Sequence, residues 1–394
     1  MKVLFTCGGT AGHINPALAV ASRLCGFDPS TEVLFIGAEG NMECSLVPGE
    51  GYGIKTIRIT NISRALSLEG LEHNIDTFKN VITSRRAAEK IIREFSPDIA
   101  VGTGGYVCFP VITAAHRLGI PTVIHESNST PGLTTKLLSR VTDRVLVGVE
   151  GCAEQYPDPS KVIYTGTPVR SGFGGMSKAE AKEKLGLPAG EPLVVSVWGS
   201  LGAGRMNELV LDMIPLMKNA EKPLNVNCNS ATVGDNLSPA TSGCGFRLIH
   251  ATGKRYYDGF MKKLTETCPD YRNYGADVRE YINDMPLVMT AADVIMCRSG
   301  ASTLSELAYM GKPALLVPSP NVTNNHQEKN ARVVESAGAA TVLLEDSLDS
   351  ESLLATIKDM LSNPERLEKM SASAGGLCKK NAAGEIADII LGLV

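Results

Sequence analysis

Four short glycine-rich segments contain the residues best suited to hold an anionic ligand. They are Gly8–His13 (GGTAGH), Gly102–Tyr106 (GTGGY), Gly199–Ala203 (GSLGA) and Arg298–Thr303 (RSGAST). Glycine lets the backbone approach a ligand closely, and the unpaired amides at a helix start attract phosphate groups. The first segment alone is a weak signal, because it lacks the GxGxxG and Walker-lysine patterns and could be a tight turn. Four such segments together favour a phosphate-containing ligand.

Each segment follows a short apolar, β-branched run and leads towards a helical stretch. The predicted strands are Val3–Cys7, Val33–Ile36, Asp98–Val101, Thr122–His125, Arg144–Val147, Leu193–Val197, Val294–Cys297, Ala314–Val317 and Thr341–Leu344. The predicted helices include Pro16–Leu24, with Asn15-Pro16 opening the first, and Phe78–Glu94, Leu133–Ser139, Ser302–Met310 and Gln327–Ser336. Continuous apolar strands that alternate with helices indicate parallel sheets covered on both faces. The predicted fold class is therefore α/β with two doubly wound sheets, and the glycine segments should lie at the carboxyl ends of their strands.

The boundary between the two predicted domains lies in the segment 164–175, where a strand ends in TGTPVRSGFGG. The first domain is expected to span residues 1–166, completed by the C-terminal helix 378–394, and the second to span 167–377. Ser177 and Glu180 have the spacing of a capping box at the start of the next helix. The polar segment 225–245 has no periodicity and is interpreted as a surface loop or insert.

The composition excludes several classes of protein. The chain has 394 residues, 43% of them hydrophobic and 20% charged, and a formal net charge of −4. This is globular, and it has no basic excess of the kind that nucleic-acid partners require. None of the ten cysteines forms a CxxC pair, so neither a zinc site nor a dithiol redox site is expected. No run of about 18 apolar residues is present, and the start MKVLFTC is interpreted as a strand rather than a signal peptide.

The motifs in their order resemble the MurG family, and the resemblance covers almost the whole chain. They are GGTAGHINPALAVA, GTGGYVCFP, HESNSTPGLTTK, TGTPVR, GSLGA, CRSGASTLSELA and NNHQEKNA. The resemblance implies the GT-B architecture, with two Rossmann-like domains that face each other across a cleft. It also implies inverting transfer of N-acetylglucosamine from UDP-N-acetylglucosamine to the C4 hydroxyl of the muramyl sugar in lipid I, undecaprenyl-pyrophosphoryl-MurNAc-pentapeptide. No cofactor and no catalytic metal are expected, which fits a sequence without an Asp-x-Asp pair.

The resemblance also implies which residues bind the donor. Thr10, Ala11 and Gly12 would lie beside the sugar and the diphosphate, and Asn128 would reach the sugar. Arg170 and Ser200 would bind the diphosphate side, and the backbone at Ile282 would contact the uracil. Gln327 would hold the sugar hydroxyls, and Glu306 would accept hydrogen bonds from the ribose. The phosphate-binding helix start would be formed by Ala301, Ser302, Thr303, Leu304 and Ser305.

Two residues are candidates for the base that removes the proton of the acceptor hydroxyl: His13 and Glu126. His13 could instead bond to a phosphate or to the loop backbone, and His125 and Glu126 could brace the loop after their strand. Glu306 could merely interact with the helix dipole. Cys297 is interpreted as a core residue, because an inverting transfer needs no covalent intermediate.

The lipid acceptor implies peripheral contact with an anionic membrane surface, on the cytoplasmic face of the cell membrane. An apolar stripe at helical spacing runs through Leu68, Leu71, Ile75, Phe78 and Ile82, with Lys79, Arg85 and Arg86 nearby. Such a stripe beside basic residues can sit at a lipid surface. It could equally pack against the sheet.

Two alternatives to this function remain. A UDP-sugar 2-epimerase, or a transferase with another acceptor, would have the same fold. An inactive UDP-sugar-binding homologue is the other alternative. It is suggested by Trp198, where a small residue is usual, and by Gly204, where arginine is usual and Arg205 follows one place later. His326, where some members have a second glutamine, is a further departure.

Overall fold

The computed structural model describes residues 1–59, 83–170, 172–199, 202–219 and 245–394. Contacts divide the chain into two compact units. The first consists of Met1–Ser171, Gly300–Ser305 and Lys379–Val394, and the second of Gly172–Ser299 and Glu306–Cys378.

The first unit contains a seven-stranded sheet of parallel strands in the order β3-β2-β1-β4-β5-β6-β7. The strands are β1 Lys2–Thr6, β2 Glu32–Ala38, β3 Gly53–Ile57, β4 Ile99–Gly102, β5 Thr122–Glu126, β6 Arg144–Val147 and β7 Val162–Tyr164. The helices are α1 Ala11–Phe27, α2 Glu43–Gly49, α3 with described residues 83–95, α4 Cys108–Arg117, α5 Leu133–Leu138 and, at the end of the chain, α14 Ala382–Leu391.

Helices cover both faces of this sheet, because successive side chains of a strand point to opposite faces. Val3 and Phe5 of β1 pack on one face with side chains of α1, α2 and α14. Leu4, between them, packs on the other face with side chains of α3, α4 and α5.

The second unit contains six parallel strands in the order β10-β9-β8-β11-β12-β13. The strands are β8 Leu193–Val197, β9 Arg247–Ala251, β10 Ala276–Arg279, β11 Val294–Cys297, β12 Ala314–Leu316 and β13 Ala340–Val342. The helices are α6 Lys178–Lys184, α7 Gly204–Leu216, α8 Tyr257–Thr267, α9 Met285–Ala291, α10 Ala301–Met310, α11 His326–Ser336, α12 Ser350–Ser362 and α13 Pro364–Gly376. Helix α10 follows β11 in the chain, but its first five residues are grouped with the first unit by contacts. Val194 and Met296 pack in one core with side chains of α7, α8 and α12, while α9 contacts β8 and α6. The predicted fold class, two doubly wound parallel sheets, is confirmed.

The predicted strands are present within about two residues, the usual uncertainty of element ends. Strands β3, β9 and β10 were not predicted, because charged or glycine residues stand among their apolar ones. Strand β7 is the strand that was expected, without bounds, to end before the TGTPVR segment. The predicted capping box at the start of α6 is confirmed, with the Ser177 and Glu180 side chains each accepting from the other's backbone amide.

The predicted start of the first helix at Asn15-Pro16 is wrong. Helix α1 begins at Ala11, inside the glycine segment, and Pro16 lies in its interior. The amides of His13 and Ile14 already donate to the Thr10 carbonyl, so the helical bonding starts there. The open amides at the helix start are consequently those of Ala11 and Gly12.

Several predictions fall on residues outside the described ranges: the stripe residues Leu68, Leu71, Ile75, Phe78 and Ile82, the neighbouring Lys79, the donor residue Ser200, and all but the last residue of the segment 225–245. Among the described helices, none combines the length and the hydropathy that a membrane crossing requires.

Candidate active site

Both sheets have a topological switch point, the place where open α/β sheets bind ligands. In the first sheet β1 lies between β2 and β4, and in the second β8 lies between β9 and β11. At the strand ends Thr6 pairs with Gly102, and Val197 pairs with Cys297. Two glycine segments therefore leave each sheet from neighbouring strands. The prediction that all four follow the carboxyl ends of strands is confirmed.

The two glycine segments of the first unit interlock. The Gly8 amide donates to the Gly104 carbonyl at 3.2 Å, and Cys108 Sγ donates to the same carbonyl at 3.1 Å. Gly105 has a φ of +93°, and a Cβ there would lie 2.4 Å from the Gly8 oxygen. Position 105 therefore accepts only glycine without a shift of the backbone.

His13 is held by both segments. Its Nδ1 lies 3.0 Å from the Gly8 carbonyl oxygen, and Thr103 Oγ1 donates to the His13 carbonyl at 2.7 Å. The ring packs against Gly104, where a Cβ would lie 2.5 Å from His13 Cδ2. Because a carbonyl only accepts, Nδ1 carries the proton, and Nε2 of the neutral ring keeps a lone pair that can receive another.

The loop after β2 and the first residue of α2 support both glycine segments, although the sequence did not predict this. Glu43 is fully buried, and its carboxylate accepts from the amides of Gly9 at 3.1 Å and Ala38 at 3.0 Å. Asn41 donates to the Tyr106 hydroxyl at 2.7 Å. No local pattern marks Glu43, because its role arises from contacts with residues distant in sequence.

Glu126, the second candidate base, braces the loop that follows β5. One carboxylate oxygen accepts from the Asn128 amide at 3.1 Å and from its side chain at 2.8 Å. The other accepts from the Gly132 amide at 3.0 Å and from Thr135 Oγ1 at 2.7 Å. Four donors thus occupy the carboxylate. This arrangement supports the bracing alternative and also orients the Asn128 side chain.

His125 is buried and lies 3.0 Å, through Nε2, from the Gly166 carbonyl oxygen. Burial lowers the pKa of this imidazole below its usual value, so the ring is neutral at pH 7. It links the end of β5 to the start of the TGTPVR segment.

The fourth glycine segment leads into α10, which begins at Ala301. Its first amides, at Ala301, Ser302 and Thr303, lie at an open helix start. Within the first turn, the Leu304 amide donates to the Gly300 carbonyl at 3.0 Å, and the Ser305 hydroxyl donates to the Ala301 carbonyl at 2.9 Å.

Glu306, one turn into α10, is 9% exposed. Burial, together with the charge of Glu306, raises the pKa of the Cys297 thiol to about 12. Cys297 is therefore a protonated core residue rather than a nucleophile, as the sequence analysis expected.

Gln327 joins the loop after β12 to the loop after β11. Its Oε1 accepts from the Ser319 amide at 2.9 Å, and its backbone carbonyl accepts from Ser299 Oγ at 2.8 Å. Asn330 Nδ2 donates to the Ser299 carbonyl at 3.3 Å. Since the side-chain oxygen of Gln327 is engaged, its amide NH₂ is the part that can donate to a ligand.

The third glycine segment is packed tightly against the end of β9. Gly202 has a φ of +73°, and a Cβ there would lie 2.1 Å from the Thr252 carbonyl oxygen. Trp198 is 3% exposed, with the Arg298 guanidinium 5.9 Å from its ring centroid. Arg298 in turn pairs with Glu345 at 2.5 Å. The large residue at position 198 is thus buried in the core of the second unit, with the Arg298–Glu345 ion pair near its ring.

Two further residues predicted to bind the donor lie in segments between secondary-structure elements. Ile282 is 2% exposed in the segment between β10 and α9, and Arg170 is half-buried at the end of the first unit's main segment. Lys254 and Arg255, both exposed in the loop after β9, are cations near the switch point that the sequence analysis missed. They were missed because β9 itself was not predicted.

Comparisons with known proteins agree with this fold along the whole chain. Residues 3–147 match the glycosyltransferase family 28 N-terminal domain, and residues 193–389 match the glycosyltransferase family 28 C-terminal domain. A protein of Acetivibrio thermocellus is 41% identical over 99% of this chain and 97% of its own length. One of Listeria welshimeri is 37% identical over the full length of both chains. Both are named UDP-N-acetylglucosamine–N-acetylmuramyl-(pentapeptide) pyrophosphoryl-undecaprenol N-acetylglucosamine transferase.

Solved structures extend the comparison to the fold. Acinetobacter baumannii MurG is 26% identical and covers 99% of each chain with a TM-score of 0.72. A UDP-GlcNAc 2-epimerase from Neisseria meningitidis, bound to UDP-GlcNAc, matches with a TM-score of 0.62 over the full length of both chains, but is only 16% identical and so shows the shared fold alone. The fold is that of the GT-B glycosyltransferases, and by sequence the chain belongs to the MurG family within glycosyltransferase family 28.

Proposed function

We propose that this protein transfers N-acetylglucosamine from UDP-N-acetylglucosamine to the C4 hydroxyl of the muramyl sugar of lipid I, with inversion at C1. The observation that carries the proposal is the full-length identity of 36–41% to relatives named for this reaction. The glycine segments at both switch points support it, because they offer open amides to a sugar diphosphate.

The second unit, together with the start of α10, is proposed to bind most of the donor. The amides of residues 301–303 would face the diphosphate, whose charge grows as UDP leaves, and Ser200 and Arg170 would add to that stabilisation. The buried carboxylate of Glu306 suits the two ribose hydroxyls, since a carboxylate is an acceptor with two oxygens. Gln327 would donate to the sugar, and the backbone at Ile282 would contact the uracil.

The first unit is proposed to supply the base, His13, beside Thr10, Ala11, Gly12 and Asn128. The O4–H proton passes to His13 Nε2 while O4 attacks C1. The bond from C1 to the diphosphate breaks, and its electron pair leaves with UDP. The Nδ1–H bond to the Gly8 carbonyl supports this role by leaving Nε2 as the acceptor. Glu126 is proposed to act as the brace of the Asn128 loop.

The predicted domain division accompanies these roles. We propose that residues 1–166 with the C-terminal helix 378–394 form the acceptor and membrane side, and that residues 167–377 bind UDP-N-acetylglucosamine.

A lipid-linked acceptor requires contact with the cytoplasmic membrane face, which we propose lies on the α3–α5 side of the first sheet. Arg86 on α3 is exposed, as are Lys136 and Arg140 at α5. On α5, Leu133 is 60% exposed and Leu137 is 41% exposed. Apolar and basic side chains on one helical layer are what an anionic lipid surface attracts.

The membrane proposal predicts that Leu137→Asp combined with Arg86→Glu lowers sedimentation with anionic vesicles. Phe27→Asp is the matched control, because Phe27 is 62% exposed on α1, which covers the opposite face of the sheet. Phe78→Asp with Arg85→Glu extends the test to the predicted stripe. Unchanged sedimentation of both double variants would remove the proposal.

The transferase proposal is tested by incubating labelled UDP-N-acetylglucosamine with a short-chain lipid I analogue, with and without EDTA. We expect a β-linked disaccharide lipid and free UDP, with the same rate in EDTA, since the sequence has no Asp-x-Asp pair. Epimerisation of the donor without acceptor would favour the epimerase alternative. UDP binding without turnover would favour an inactive homologue. Either result would overturn the proposal.

A further inference from the structure

One peptide group connects a buried carboxylate to the imidazole of His13. The carbonyl of Gly8 accepts from His13 Nδ1 at 3.0 Å, and the N–H of Gly9 donates to Glu43 Oε2 at 3.1 Å. This oxygen and this N–H belong to the same Gly8–Gly9 peptide. The carboxylate, the peptide and the imidazole are therefore joined by a continuous chain of hydrogen bonds.

The surroundings of Glu43 are shaped to keep its carboxylate in this place. Glu43 is 0% exposed, and the Ala38 amide fixes its other oxygen at 3.0 Å. A Cβ on Gly8 would lie 2.5 Å from Glu43 Oε1, and one on Gly37 would lie 2.5 Å from Glu43 Cγ. Because Gly8 and Gly37 have no side chain, they leave the space that the Glu43 side chain occupies.

The negative charge of Glu43 is not neutralised by an ion pair within the described part of the chain. A buried carboxylate is costly unless its hydrogen bonds are strong, and bonds to an ionised acceptor are the strong ones. The Gly9 and Ala38 amides supply these bonds, one to each carboxylate oxygen. One of these bonds places the carboxylate directly on the N–H of the Gly8–Gly9 peptide.

We propose that Glu43 is a positioning residue for His13 and acts through the Gly8–Gly9 peptide. Hydrogen bonds in a chain polarise one another, so a carboxylate on the N–H makes the Gly8 oxygen a stronger acceptor. That oxygen holds the proton on Nδ1 and stabilises the imidazolium once Nε2 has taken the acceptor's proton. No proton travels to Glu43: the proton of Nδ1 stays, and the peptide remains neutral. A carboxylate that touches the imidazole directly has this role in hydrolase triads.

This proposal rests on the proposed role of His13 as the base, and a double-mutant cycle tests the link between the two residues. Glu43→Gln keeps the shape of the side chain and removes the charge. We expect about a tenfold or larger fall in kcat, the effect of losing one charge-assisted hydrogen bond, with little change in the KM for UDP-N-acetylglucosamine. In the His13→Ala background the same change should have no further effect on kcat. Glu39→Gln, on the same segment but exposed, is the control that should leave both constants unchanged.

A second measurement does not depend on activity. In ¹⁵N-histidine-labelled protein, ring nitrogen signals should show the proton of His13 on Nδ1, and Glu43→Gln should move population towards the Nε2–H tautomer. If Glu43→Gln does not fold, Glu43→Asp carries both measurements, because it keeps the charge but withdraws it from the Gly9 amide.

The outcomes separate this proposal from the function. Full activity of His13→Ala would remove His13 as the base, while a tautomer shift would still establish the connection to Glu43. An unchanged tautomer together with additive losses in the cycle would overturn the connection and leave the transferase function untouched.

Discussion

At the scale of single residues, the first switch point depends on glycines that leave no room for a side chain. Gly105 faces the Gly8 carbonyl, Gly104 faces the His13 ring, and Gly8 faces Glu43. The sequence marks these glycines by their clustering, so the candidate site could be located from sequence. It does not show which atom each glycine makes room for, because those partners come from other strands and helices.

Gly105→Ala should disrupt the interlocked segments. An alanine at a positive φ costs about 1–2 kcal/mol. Its Cβ would also clash with the backbone oxygen of Gly8, which cannot move aside as a flexible side chain could. Gly40→Ala isolates the first cost, because Gly40 has a φ of +75° and a Cβ there would meet no atom within 4 Å. Urea unfolding should show a clearly larger loss of stability for Gly105→Ala than for Gly40→Ala. Equal losses would mean that the close approach to Gly8 is not limiting.

At the scale of elements, the sequence was informative where a strand is an apolar run and uninformative where charged residues interrupt the run. Strands β1, β4, β8 and β11 form continuous apolar runs and were predicted, whereas β9, which begins at Arg247, was not. Strand β9 nevertheless carries a buried histidine, His250, whose Nδ1 lies 3.0 Å from Ser196 Oγ of β8. Such a ring links the stability of the second unit to pH.

Burial lowers the pKa of His250 to about 3. In the unfolded chain the ring has a pKa of about 6.5, so below that pH the unfolded state binds a proton that the folded state does not. The stability from this group is present at neutral pH and is lost as pH falls from about 6.5 towards 3, by up to about 1.4 kcal/mol per pH unit. The free energy of unfolding, measured with urea at several pH values between 7 and 5, should fall less steeply with decreasing pH in His250→Leu than in the parent. The exposed His116→Leu should keep the parent slope; a His250→Leu slope equal to that of the parent would contradict the assignment.

The C-terminal helix α14 packs on α1, and its Ile390 is fully buried in the core of the first unit. Ile390→Ala should lower the free energy of unfolding by about 2–5 kcal/mol, the cost of a large-to-small change in a packed core. Leu391→Ala, next to it and 42% exposed, should cost far less. Similar effects of both variants would argue against this packing.

At the scale of the whole molecule, both sheets follow one rule, with the first strand of each unit in the centre and its glycine segment beside that of a neighbouring strand. Alternating strands and helices predicted two such sheets, with the glycine segments at the carboxyl ends of the strands, but not the order of the strands. Two supporting contacts were not predicted, Glu43 behind the first segment and the Ser299–Gln327 link, because each joins residues distant in the sequence. Bracing of the loop by Glu126 was one of the expected alternatives, but its individual donors were not predicted. The glycine segments have a composition that can be recognised in the sequence. The residues that hold them in place belong to no such motif.

The second unit and the start of α10 are proposed to hold the donor, while His13 of the first glycine segment is proposed to supply the base. Steady-state kinetics of transfer to the lipid I analogue test these two roles most directly. Glu306→Ala should raise the KM for UDP-N-acetylglucosamine by about 10- to 100-fold with a smaller change in kcat, because hydrogen bonds to a charged group are lost. His13→Ala should lower kcat by about 10²- to 10⁴-fold with little change in that KM. The exposed Glu208→Ala and His116→Ala should match the parent. Parent-like kinetics in both Glu306→Ala and His13→Ala would contradict these two roles.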